Sequence, residues 1–178
     1  MMPIRLLALV LAASLVEADP ARSVEVSAVA RDGRVYVSST ASDGVLEDVD
    51  EAIQAGLTAS ITFDAELRRP VNIWFDRTIA TAIVSASVQY DTLTRRYQLS
   101  RSVDGRLDDS RVTEDKGDVK RFALRFDRLP LFGTGDLEPN AEYYVRVRAQ
   151  TRPRNSLFVL PWERGGVLGS AKFTFLPR

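Results

Sequence analysis

Cysteine and histidine are both absent from the 178 residues. Without cysteine there is no disulfide framework and no thiolate nucleophile or metal ligand. Without histidine, the Ser-His-Asp and Cys-His mechanisms go, together with the side chain that shuttles protons near neutral pH. No glycine-rich phosphate loop and no G-x-S-x-G element is present. Excess charge is missing as well. Lys plus Arg number 24 and Asp plus Glu number 24, for a formal net charge of zero. A domain that grips phosphates carries a basic surplus, so nucleic acid is excluded as a partner. No Lys/Arg block offers itself to an anionic membrane surface. No cofactor is implied, and carboxylate or Ser-Lys chemistry is all that an enzyme would have left.

What is present begins with an address. Met1–Arg5 is a short segment with one positive charge, and Leu6–Val16 is an apolar and small-residue run of eleven. Val16-Glu17-Ala18 offers small residues at −3 and −1 to a signal peptidase. Spanning a bilayer takes about 20 apolar residues, so the pattern predicts a cleavable signal peptide over 1–18 rather than an anchor. Cleavage after Ala18 leaves 160 residues from Asp19, enough to hold a core without disulfides. With no lipobox cysteine, the expected location is periplasmic or secreted, with no integral membrane segment after cleavage.

Alternation dominates the remainder. Ala59, Ile61, Phe63, Ala65 and Leu67 share one face of a segment, opposite Ser60, Thr62, Asp64, Glu66 and Arg68. Ala141, Tyr143, Val145, Val147 and Ala149 repeat the pattern. A period of two means a strand with one wet face. Further strands are expected near 22–30, 34–40, 77–90, 95–102, 119–127 and 170–176, with Asp32-Gly33 as a hairpin turn. Small residues on one face of Thr78–Tyr90 predict close approach by another element. Leu46, Val49, Ile53 and Leu57 recur at near-helical spacing, with acids in the first turns and Gly56 as a stop. They predict one short helix at 47–55. The fold class is all-β: an antiparallel sandwich, immunoglobulin-like in outline, of about eight strands in one domain over 19–178, with a closed barrel as the alternative. Segment 104–120 reads as a polar, acid-rich loop.

Paired carboxylates are plentiful: Asp48 with Asp50 and Glu51, Asp108 with Asp109, Glu114 with Asp115. Two carboxylates at the right separation hydrolyse glycosides, but these lie on a helix surface or in a polar loop, where solvated charge is the ordinary explanation. Asp104, Asp108, Asp109, Glu114, Asp115 and Asp118 supply oxygen atoms suited to calcium, yet their spacing matches no calcium loop. No catalytic, cofactor or metal residue is assigned.

Two stretches carry a resemblance. Ile61–Asp76, ITFDAELRRPVNIWFD, and Tyr90–Leu99, YDTLTRRYQL, resemble a signature of the DUF4390 family of uncharacterised exported proteobacterial proteins. The matching positions are Arg68, Arg69, Trp74, Phe75, Asp76, Tyr90, Leu93, Thr94, Arg95 and Tyr97. Leu160-Pro161 and Lys172–Leu176 are similar in outline. The clear match spans about 51–100. Beyond Ser100 the family pattern has a short amphipathic helix, whereas this chain reads DGRLDDSRVTEDKGD and then a strand-like KRFALRF. The resemblance carries no reaction. It implies an envelope protein of a Gram-negative bacterium with a protein partner; members are encoded near a membrane sensor histidine kinase, which makes such a kinase the implied partner.

If the two flanking strands are neighbours, Arg68, Arg69, Arg95 and Arg96 gather near Trp74 and Phe75. Arginines beside aromatic rings make interaction surfaces, and Arg68, Arg69, Trp74, Phe75 and Arg95 form the candidate contact. The competing explanation has Arg68 and Arg96 in water and Trp74 closing the end of the sandwich. Leu157–Leu160 is either a further strand edge or an exposed apolar strip. The expected function is an exported, non-catalytic interaction module. The alternative is a carrier of an apolar molecule held between the sheets against Phe63, Val84, Tyr143 and Val145. A carboxylate-based hydrolase comes third.

Overall fold

The computed structural model describes residues 23–71, 76–153 and 166–176. The expected signal peptide, Trp74, Phe75 and Leu157–Leu160 lie outside them. Within the described residues the chain is all-β, with two antiparallel sheets packed face to face. The strands are β1 Val24–Arg31, β2 Arg34–Ala41, β3 Ala59–Arg69, β4 Arg77–Asp91, β5 Arg96–Val103, β6 Arg106–Thr113, β7 Arg125–Gly133, β8 Glu142–Pro153 and β9 Val167–Thr174. One sheet has the order β1-β2-β7 and the other β6-β5-β4-β3-β8-β9. Two helices, α1 Gly44–Gln54 and α2 Lys116–Leu124, interrupt them. No helix among the described residues is long and apolar enough to cross a membrane.

The alternation of β3 decides which face is core. Ile61, Phe63, Ala65 and Leu67 are buried, as are Ala82, Val84, Ala86 and Val88 on β4 and Tyr143, Val145, Val147 and Ala149 on β8. The three-stranded sheet contributes Val35, Val37, Phe126 and Phe132. Phe126 meets Phe63 edge to face, with ring centroids 5.3 Å apart, a favoured geometry for two quadrupoles. The small residues of β4 leave room for α2 and β7, which pack against it. The four positions considered for a ligand cavity, Phe63, Val84, Tyr143 and Val145, are each at most 1% exposed, and Phe126 fills the space beside Phe63.

The first hairpin forms as expected. Asp32 and Gly33 take φ of 50° and 74°, the pair of left-handed residues that a two-residue turn between right-twisted strands requires. α1 ends where Gly56, at φ 79°, lets the chain turn back. Val45 and Ile53 anchor its buried side.

Residues 104–127 depart from the sequence reading. The polar stretch is not a loop: Asp104-Gly105, at φ 49° and 78°, makes a second hairpin turn into β6, which pairs with β5 from Val103↔Arg106 to Tyr97↔Thr113. The strand expected at 119–127 is α2 followed by the start of β7. Phe122, Ala123 and Leu124 are all buried in succession along with Val119, which a strand with one wet face does not permit. Asp115 caps α2, its carboxylate accepting the Gly117 amide at 2.8 Å, as N-cap side chains do. α2 also explains why inward positions on β6 are charged. The Arg101 and Arg111 guanidinium carbons stand 4.4 and 4.8 Å from the centre of the Phe122 ring. Arg101 also donates to the carbonyls of Phe122 and Arg125, both at 2.8 Å. These bonds hold the guanidinium in a cation–π contact, and burial pulls it below its ordinary pKa.

β1 and β9, edge strands of different sheets, close one flank of the sandwich. A Cβ built on Gly169 would lie 2.1 Å from the Val24 carbonyl oxygen, so only glycine lets the two backbones approach this closely. Gly169→Ala is expected to lower unfolding free energy by about 1–3 kcal/mol in urea denaturation, because backbone must move to admit the methyl. Gly133→Ala in β7, where a Cβ meets nothing within 4 Å, is expected to be neutral or stabilising by up to about 1 kcal/mol. Equal losses from the two would contradict the closure.

Candidate functional site

The outer face of β3 and β8 carries a ladder of opposed polar side chains. The register sets Glu66 opposite Arg146 and Arg68 opposite Tyr144. Arg146 donates to Glu66 at 2.7 Å, and Gln150 donates to Asp64 at 2.6 Å. Arg68, with a side chain 17% exposed, lies 3.6 Å from Glu66 and donates to the Asp76 carbonyl at 2.9 Å. Its Nε is buried without a partner among the described residues.

Asp76 closes the base of the link between β3 and β4. Its carboxylate accepts the Tyr144 hydroxyl and the Val71 amide, so both ends of the link are tied to one acidic group. The Tyr144 hydrogen bond chiefly holds that carboxyl below its ordinary pKa. Burial, and then the bond to Asp76, pushes the Tyr144 phenol up. Arg69 reaches sideways to Glu138 in a two-pronged pair at 2.5 and 2.7 Å, the fork geometry that matches a guanidinium to a carboxylate. Glu138 is itself positioned, because its amide donates to the buried Tyr143 hydroxyl at 2.7 Å. The Arg69 hydrogen bond lowers the Glu138 carboxyl.

Arg68 and Arg69 therefore stand together beside the link that carries Trp74 and Phe75, but Arg95 does not join them. β3 pairs with β4, and β4 with β5, as the clustering requires. The antiparallel register nevertheless sets Arg69 opposite Arg77, whereas Arg95 and Arg96 follow Asp91 at the far end of β4. The ten steps from Ala59 to Arg69 along β3 span roughly 33 Å at strand rise. Arg95 is exposed at a hairpin tip with φ 58°, and Arg96 pairs with Glu114 at 2.9 Å.

The acidic pairs have local structural roles. Glu114 holds Arg96, Asp115 caps α2, and Asp109 and Asp118 bind Arg111 and Arg121, which lower both carboxyls. The Asp104 carboxylate accepts the Ile83 amide at 2.8 Å. Asp50 accepts from Gln54. Among the described residues no group of three or more acidic side chains is placed to hold a metal ion.

Residues that the sequence reading passed over complete the network: Glu66, Glu138, Tyr144 and Arg146. Glu66 and Arg146 were legible as outward positions on strands, but the register that joins them is a tertiary fact. The DUF4390 family model, described as a domain of unknown function, matches residues 18–155. The chain belongs to that family, and the match runs through 101–140, the segment that holds β6 and α2. Comparison with curated proteins gave no match, and comparison with solved structures gave none either.

The two lowered carboxyls make the site acid-sensitive. Asp76 and Glu138 ionise more readily in the folded chain than in the unfolded one, so their stabilisation is complete at neutral pH and is lost as pH falls through the folded values. The urea midpoint is expected to drop between about pH 5 and pH 3, and to drop less in Asp76→Asn/Glu138→Gln. An unchanged drop in that double variant would remove the two groups from the acid response.

Proposed function

We propose that the chain is an exported, non-catalytic module of the cell envelope that engages a protein partner through the end of the six-stranded sheet. Arg69, Trp74 and Phe75 belong to the contact, and Arg68 supports it from beneath. The observation that carries this reading is the way the link is held: Asp76, Tyr144, Arg68 and Glu138 fix its base on a two-sided strand ladder. A recognition segment gains affinity when its ordering cost is met before the partner arrives. Arg95, at the other end of the sheet, is not part of this contact.

Five described carboxyls are shifted away from what a general acid needs. Asp76, Asp91, Asp109, Asp118 and Glu138 are all moved below the ordinary carboxylate pKa by hydrogen-bond donors. A carboxyl serving as general acid near neutral pH needs the opposite shift. Export rests on the pattern of residues 1–18, and a membrane sensor kinase is the first partner to try on family resemblance.

The test is photo-crosslinking in intact cells from position 75, with position 95 as a control. Crosslinking to one envelope protein from position 75 alone is expected, and Trp74→Ala/Arg69→Ala should abolish it while leaving the melting curve in place. Crosslinking that survives the double substitution would remove this end of the sheet from the interaction.

A further inference from the structure

The three-stranded sheet carries a second, separate feature on its outer face. Tyr36 of β2 stands directly opposite Val29 of β1, and Ser38 stands opposite Ser27. The third strand then breaks its alternation. Val37 pairs with Leu129 and Ser39 with Phe126, so Asp127 and Arg128 both stand against the single residue Ser38. Such a bulge re-aims side chains that would otherwise alternate between faces. Asp127 and Arg128 accordingly line the same open groove of about 470 Å³, with Ser27, Val29 and Tyr36, and with the ion pair of Arg31 and Asp32 at one end, 2.9 Å apart.

The bulge is pinned and strained. The Ser38 hydroxyl donates to Asp127 Oδ1 at 2.9 Å and accepts the Arg128 amide at 2.9 Å. Arg128 takes a φ of 45°, a region unfavourable to residues with a Cβ. Strain held in this way is a reason to ask what it positions. The second oxygen of Asp127 forms a long ion pair with Arg125 at 3.7 Å, beyond hydrogen-bond distance, so it still has lone pairs to accept a hydroxyl. No described residue pairs with the Arg128 guanidinium.

A carboxylate and a guanidinium side by side match two neighbouring hydroxyls, accepting from one and donating to the other. The tyrosine ring and Val29 match the C–H face of a sugar ring. The lining charges cancel, Asp127 against Arg128 and Arg31 against Asp32, which favours an uncharged ligand, and the groove is open along the sheet, which lets a chain continue past it. We infer that this groove binds an uncharged oligosaccharide, with Tyr36 and Val29 as platform and Asp127 and Arg128 as hydroxyl partners. The inference is independent of the protein contact proposed for the other sheet.

The experiment titrates the purified protein with cellotetraose, maltotetraose and chitotetraose, read by calorimetry and by amide shifts in NMR spectra. Saturable binding of at least one is expected, with shifts centred on Ser27, Val29, Tyr36 and Arg128. Tyr36→Ala should weaken it about tenfold or more. Arg128→Gly relieves the left-handed backbone, so its melting temperature should be unchanged or higher, while binding still weakens about fivefold or more. That variant separates lost recognition from lost folding. The inference is overturned by no saturable binding of any of the three at about 10 mM, by shifts centred elsewhere, or by full affinity in Arg128→Gly.

Discussion

β3 is hydrogen-bonded on both flanks along nearly its whole length, to β4 from Ala59↔Val88 to Arg69↔Arg77 and to β8 from Ala59↔Pro153 to Arg68↔Tyr144. This double ladder is the constraint on which the rest depends. A strand paired on both sides cannot slip by one residue without turning Ile61, Phe63, Ala65 and Leu67 into water and Glu66 and Arg68 into the core. The same register places Phe63 against Phe126, which joins the sheets. It also sets the outward charges opposite one another and fixes which end of the sheet each loop leaves from.

Charge on the outer face follows from that geometry. Glu66 with Arg146, Arg69 with Glu138 and Asp76 with Tyr144 are neighbours because strands and turns bring them there. Exposed ion pairs of this kind add little stability singly. Their effect is to hold side chains in one arrangement at the foot of the β3–β4 link. Arg101 does comparable work on the inner side, where two carbonyl acceptors and the Phe122 ring fix α2 over β5 and β6. The Asp127–Arg128 bulge belongs to the opposite sheet, so the molecule presents two chemically different faces.

Much of this was legible in the residues. Strict alternation in β3 and β8 identified core and solvent faces because each strand buries one side only. The Asp32-Gly33 turn was readable from its chemistry, and Asp104-Gly105 carried the same signal. That second turn was missed because β6 reverses the usual pattern: Asp109 and Arg111 face α2 rather than an apolar core, while Leu107 and Val112 are exposed. KRFALRF was misread as a strand because its apolar residues alternate when β7 is counted with the helix, and only the consecutive burial of Phe122, Ala123 and Leu124 separates the two. The site was half legible. Arg68 and Arg69 were found, and their partners were not, because Glu138 is 69 residues from Arg69 in the chain. Arg95 was placed beside them because adjacency of strands was inferred without the end at which each arginine sits.

The separation of Arg95 from Arg68 and Arg69 is directly measurable, because the chain has no cysteine. Spin labels on cysteines introduced at the exposed positions Arg77 and Arg95 report the separation of the two halves of the family signature by pulsed electron resonance. The fourteen strand steps from Arg77 to Asp91 predict a distance of roughly 46 Å. A distance below about 20 Å would mean that the arginines gather at one end, against the register of β3, β4 and β5.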